Sequence, residues 1–195
     1  MVDILHLDDE AYVSRKADKI LTEAGADHMC FWVFSGSGTR VYDTESDTKK
    51  EVPLNLVAGA IDQVAPGIIL SDQHMKKLYG TDLLEGLDPE RLMTREEVLS
   101  GARLEQEKLI FMIHTGGFAS KEVIEKIREA LKSGKLAFLF EKTRRDFDVW
   151  ETVAALVEAY KIEDQQERTH KLGPIITQLE AFHQAALQSM GLDNF

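Results

Sequence analysis

The sequence predicts an α/β protein: a doubly wound, five-stranded parallel sheet with a C-terminal helical extension. Three observations carry that expectation. Short apolar runs alternate with stretches of helical periodicity along most of the 195 residues. The runs end in polar or charged residues, as strands do where they deliver side chains to a sheet edge. A composition of 44% hydrophobic and 29% charged residues is ordinary for a globular chain with one sizeable core.

Ile4 to Leu7 is a short strand that ends in Asp8-Asp9-Glu10, and Ser14 to Ala24 reads as an amphipathic helix closed by Gly25. Met29 to Ser35 is a second strand rich in β-formers, followed by the turn signal Gly36-Ser37-Gly38. Thr39 to Glu45 alternates as a hairpin extension of that strand would, and Ser46 to Lys50 is a polar tract. Helical spacing at Leu54, Val57, Ala58 and Ile61 leads to the break Pro66-Gly67 and the buried strand Ile68-Ile69-Leu70-Ser71, which delivers Asp72. A right-handed crossover joins the two strands. Thr81 to Leu87 begins another helix, and Thr94-Arg95-Glu96-Glu97 has the pattern of a capping box. Leu109 to Ile113 is the fourth apolar run and ends in His114-Thr115-Gly116-Gly117. Ser120 to Lys132 is an amphipathic helix stopped by Gly134, and Leu136 to Phe140 is the fifth strand, ending in Glu141-Lys142-Thr143.

The last 50 residues are helical. Phe147, Trp150, Val153, Ala154 and Val157 form a stripe suited to covering the sheet. Gly173-Pro174 marks a break, with Pro at a first helical position, and a second stripe follows through Ile175, Leu179, Phe182, Ala186 and Met190. The expected division is a body over residues 1–160 and an extension over 161–195. The apolar face of the extension needs a second surface, either its own body or another chain, and a homodimer through these helices is the expectation.

Charge and composition exclude several classes. The net charge is −11, with nine acids against three bases in residues 146–195, so direct binding of nucleic acid is not expected. No run approaches the about 18 apolar residues of a membrane span, and Met1-Val2-Asp3-Ile4 lacks the start of a secretion signal, so a cytoplasmic protein is expected. The single Cys30 can form no internal disulfide and reads as a buried strand residue, not a nucleophile.

If strands one, three, four and five share a parallel sheet, Asp8, Asp9, Asp72, Thr115 and Lys142 emerge at one edge. Three carboxylates that close together repel one another unless a cation neutralises them, and an all-oxygen set suits Mg²⁺. A carboxylate nucleophile beside a metal and an ammonium group is what phosphoryl transfer needs. Asp72 would be the nucleophile, Lys142 and Thr115 would bind phosphoryl oxygens, and Gly116 would leave room for the group to enter.

These segments resemble the receiver domain of two-component response regulators. The resemblance spans roughly residues 2 to 160 and is carried by Ile4 to Glu10, by Asp72 with Met75, Gly80 and Leu83-Leu84 after it, and by Thr115-Gly116 and Lys142. It implies a flavodoxin-like sheet of strand order 2-1-3-4-5 and a Mg²⁺ site made by Asp9, Asp72 and the main-chain carbonyl of His74, with Asp8 helping through water. It implies phosphorylation of Asp72 by a histidine kinase or phosphotransfer protein in a phosphorelay, and signalling to a separate output protein. The chain departs from the family pattern at Lys76, Leu139 and Thr143, where Pro, an aromatic and Pro are usual. Insertions fall near residues 36–51 and 86–107. Two rivals follow: a receiver-like interaction module that does not use phosphorylation, and a Mg²⁺-dependent phosphohydrolase with Asp72 as nucleophile, which lacks the usual Asp-x-Asp because Gln73 and His74 follow Asp72. Thr169-His170-Lys171-Leu172-Gly173-Pro174 is similar to the phosphohistidine box of sensor kinases, yet its Pro falls one residue early and no ATP-binding domain accompanies it.

Overall fold

A computed structural model describes residues 3–32, 39–42, 49–52, 61, 63–75, 78–105, 107–116, 120–142 and 146–192. Its strands are β1 (Ile4–Asp8), β2 (His28–Trp32), β3 (Thr39–Tyr42), β4 (Lys49–Val52), β5 (Ile68–Ser71), β6 (His74–Met75), β7 (Leu78–Tyr79), β8 (Ile110–Thr115) and β9 (Phe138–Glu141). Its helices are α1 (Ala11–Glu23), α2 (Gly80–Gly86), α3 (Arg95–Leu99), α4 (Lys121–Lys132), α5 (Asp146–Tyr160) and α6 (Gln165–Ser189). No helix among the described residues is long and apolar enough to cross a membrane.

The molecule is α/β, with five parallel strands and a C-terminal helix. The main sheet nevertheless has seven strands, ordered β4-β3-β2-β1-β5-β8-β9. β2, β1, β5, β8 and β9 pair in parallel, whereas β3 pairs antiparallel with β2 and β4 antiparallel with β3. The chain-order numbers thus depart from the expected 2-1-3-4-5, because a hairpin is inserted between the second and third parallel strands. β4 was hidden in a tract that reads as polar. A separate two-stranded ribbon, β6-β7, follows Asp72 directly. Of the helix expected over Leu54 to Val64, residues 61, 63 and 64 are helical and the others lie outside the described residues, as do Gly36, Ser37 and Gly38.

Strand alternation puts side chains on both faces, and each face has its own core. One contains Ile4, Leu70, Ile110, Met112 and Phe138 packed with Val13, Ala17 and Ile20 of α1 and Trp150 and Val153 of α5. The other contains Leu5, Leu7, Ile69, Phe111 and Ile113 packed with Leu83 and Leu84 of α2 and Val123 and Ile127 of α4. The local signals work as read. Ser120 caps α4 by accepting from the Val123 N–H at 3.4 Å, and Thr94 and Glu97 form a reciprocal capping box on α3 at 3.2 and 2.7 Å.

The extension corrects one expectation. α6 runs unbroken through Gly173-Pro174, with Pro174 inside the helix. The apolar stripe is used within the chain: Leu172 and Leu179 join the first core, and Ala186, Leu187 and Met190 join the second. α6 therefore crosses the β9 rim from one face of the sheet to the other, the first of the two surfaces foreseen for it. His170 is exposed on this helix.

Candidate functional site

Parallel pairing brings the strand ends together. Leu7 of β1 is in register with Ser71 of β5, and the Asp72 N–H donates to the Leu7 carbonyl at 2.7 Å, so Asp8 and Asp72 leave neighbouring strands at the same level. Across β8 and β9, Thr115 is in register with Glu141, and the Lys142 N–H donates to the Thr115 carbonyl at 2.7 Å. Asp8, Asp9, Asp72, Thr115 and Lys142 thus share the carboxyl edge of the sheet, where open α/β sheets hold ligands.

The side chains converge as well. Carboxylate oxygens of Asp8, Asp9 and Asp72 all lie within 4.8 Å of one another. The Lys142 Nζ sits 2.8 Å from Asp8 Oδ2 and 3.1 Å from Asp72 Oδ2. Asp8 Oδ1 accepts from the Glu10 N–H at 2.8 Å. Asp72 Oδ1 and Thr115 Oγ1 are buried and have no hydrogen-bond partner among the described residues. Orphaned buried acceptors and hydroxyls are costly, at about 1–3 kcal/mol each, and a ligand or a water at the cluster would satisfy both atoms.

Burial pushes the Asp8 carboxyl up to about 7, the Lys142 ammonium draws it back, and the Asp72 charge adds to the rise. Burial also works against the charge on Lys142. The carboxylates of Asp8 and Asp72 outweigh that effect and hold the amine above its usual value. The Lys142 ammonium meets two of the three carboxylates, those of Asp8 and Asp72. The donor set, all oxygen and partly orphaned, fits a hard divalent cation held by Asp8, Asp9 and Asp72.

No protein-family model and no curated protein matches this chain. Among solved structures, a yeast Spc42 trimeric coiled-coil segment fused to another protein aligns over 93% of this chain and 95% of that one, at 16% identity and a TM-score of 0.44. At that score the likeness carries no argument about fold or function.

The loop after Asp72 is fixed by residues that motif reading does not single out. The buried Gln73 side chain donates from Nε2 to Thr81 Oγ1 at 3.0 Å and accepts from the Thr81 N–H at 3.1 Å, tying the loop to the first turn of α2. Ser71 Oγ donates to the Asp72 carbonyl at 2.9 Å. Gly80 is needed sterically: a Cβ there would lie 2.7 Å from the Asp72 carbonyl oxygen and 3.2 Å from Gln73 Oε1. By contrast, a Cβ on Gly116 would meet nothing within 4 Å, so room beside Thr115 does not depend on glycine.

The histidines divide. His74 opens the β6-β7 ribbon, and its ring packs edge-on to Tyr79, with centroids 5.7 Å apart, outside the carboxylate cluster. His114 is buried and edge-on to Trp150 at 5.6 Å, and His6 meets the same indole edge-on at 5.9 Å. His114, the residue before Thr115 on β8, therefore lies in the interior beside Trp150. Burial first, and His114 and Lys142 next, hold His6 well below the usual histidine value. Leu139, at the position where the resembled family carries an aromatic, is fully buried, while Lys76 and Thr143 lie outside the described residues.

Proposed function

We propose that this chain is a phosphoacceptor receiver of a two-component phosphorelay, phosphorylated on Asp72 in a Mg²⁺-dependent reaction. One observation carries the reading: at the carboxyl edge of a parallel sheet, three separated segments bring three carboxylates within 4.8 Å of one another and an ammonium group against two of them, at 2.8 and 3.1 Å. The flavodoxin-like arrangement of the parallel strands, the resemblance of the quoted motifs and the orphaned Asp72 Oδ1 and Thr115 Oγ1 support it.

In this reading an Asp72 carboxylate oxygen attacks the phosphorus of a phosphohistidine or a small acyl phosphate. The bond from phosphorus to the donor breaks, and the donor leaves with that electron pair. Lys142, already 3.1 Å from Asp72 Oδ2, turns its ammonium onto a phosphoryl oxygen as the negative charge moves outward. The Thr115 hydroxyl donates to a second phosphoryl oxygen, which gives its buried Oγ1 the partner it lacks. Asp8, Asp9, Asp72 and the His74 carbonyl would hold Mg²⁺, whose charge offsets that of the incoming phosphate. The partners are a histidine kinase or phosphotransfer protein and a separate output protein in the cytoplasm, reached through protein contacts.

The test is incubation with acetyl phosphate and Mg²⁺ followed by intact-mass measurement. A single phosphoryl adduct that is absent in Asp72→Asn is expected. No adduct at any donor concentration would instead favour an interaction module that works without phosphorylation. Catalytic turnover of phosphate esters without a lasting adduct would favour a hydrolase.

A further inference from the structure

We propose a second metal site, for Zn²⁺ or a similar borderline divalent ion, formed by Asp18, His28 and Cys30 on the far side of β1 from the rest of the acidic cluster's strands. Their ligand atoms lie within 4.8 Å of one another. The local structure explains the grouping. His28 and Cys30 are two apart on β2 and so face the same side of the sheet, and α1 packs on β2 and carries Asp18.

The orientation of His28 is the second observation. Its Nδ1 is 2.8 Å from the Ala26 carbonyl oxygen, which can only accept, so Nδ1 must carry a proton. A neutral ring then presents a lone pair at Nε2, and Nε2 points at Asp18 Oδ1 from 3.1 Å. A metal ion bound to Nε2 and Oδ1 together would use both groups at once. A ligating histidine that donates its other N–H to a backbone carbonyl is the usual outer-shell arrangement of metal sites.

Cys30 brings a third ligand atom, Sγ, within 4.8 Å of the other two. In a tetrahedral zinc site, bonds of about 2.0–2.3 Å put neighbouring ligand atoms about 3.3–3.8 Å apart. The 3.1 Å between Nε2 and Oδ1 is close to that spacing, and a small side-chain adjustment at Cys30 closes the remainder. A thiolate, an imidazole and one carboxylate select Zn²⁺ over Mg²⁺. Asp18, with its side chain 35% exposed, gives the ion a path from solvent, and a water would take the fourth position. Burial, with the charges of Asp18 and Asp8, holds the Cys30 thiol protonated without metal, so binding sends that proton to solvent.

The site is independent of phosphorylation at Asp72, and its test reads sulfur alone. Co²⁺ is titrated into the full chain in the presence of excess Mg²⁺, and the near-ultraviolet thiolate-to-cobalt absorption is followed. One equivalent is expected to raise that band, Zn²⁺ to abolish it by competition, and Cys30→Ser to lack it while still accepting phosphate from acetyl phosphate. Asp18→Asn, at a partly exposed position, is expected to weaken Co²⁺ binding by about tenfold or more and keep the band. Absence of the band in the natural chain, its persistence in Cys30→Ser, or unchanged affinity in Asp18→Asn would overturn the proposal.

Discussion

At the residue scale the acids and the lysine were legible because each ends a strand that periodicity identifies. Once Ile4 to Leu7 and Ile68 to Ser71 are read as parallel strands, Asp8 and Asp72 must leave at the same edge. His183 was not legible. A histidine on an apolar helix face gives no sign that its Nδ1 will lie 3.0 Å from the Leu139 amide nitrogen, 44 positions away, or that its Nε2 will accept from Arg95 at 2.9 Å. Burial, and then the Arg95 charge, lower its pKa from 6.5 to about 4. A histidine that resists protonation in the folded state contributes stability above the unfolded value and loses it as pH falls from 6.5 towards 4. Between about pH 7 and about pH 5 this one group should cost about 2 kcal/mol of stability. Urea unfolding at both pH values should show that loss in the natural chain and a smaller one in His183→Gln. Equal losses would assign the pH dependence elsewhere. Arg95 also pairs with Glu180 at 2.6 Å, and Glu180 faces His183 from the same helix, so the variant keeps the neighbouring charges.

At the element scale, boundaries that depend on caps were readable, and those that depend on tertiary packing were not. Ser120 and Thr94 announce α4 and α3 through the hydrogen bonds their side chains can make. β4 gives no such signal, since Lys49-Lys50-Glu51 is polar and becomes a strand by pairing with β3. Pro174 failed as a stop signal for a related reason. An interior proline removes one backbone hydrogen bond and crowds the preceding turn, at about 3 kcal/mol, and the burial of Leu172, Leu179, Ala186 and Leu187 on either side outweighs it. Because Pro174 itself is exposed, replacing it loses no packing. Pro174→Ala should therefore stabilise the protein by about 1–2 kcal/mol, the gain in the helix exceeding the looser unfolded chain. A higher denaturation midpoint is the expected reading, and an unchanged or lower one would mean that the helix depends on the proline's bend.

At the scale of the whole molecule, α6 contributes to both cores and packs at the β9 rim. Composition could show that its stripe needed a cover, but not which surface would supply it; only the position of β9 at the end of the sheet decides that. Removing residues 161–195 would expose Phe138, Phe140 and the free edge of β9 together. Such a truncated chain should unfold at lower denaturant and associate with rising concentration in sedimentation velocity, since bare apolar sheet edges recruit one another. A monomer of unchanged stability would show that the helix is a passenger.

The helix laid along β9 has a further consequence for anything that would dock there. A binding partner seeking that rim competes with a tethered occupant present at very high local concentration. Its apparent affinity is the intrinsic one multiplied by the fraction of time the rim stands vacant, so any event that loosens the Arg95–Glu180 clasp strengthens recruitment without altering a single intermolecular contact.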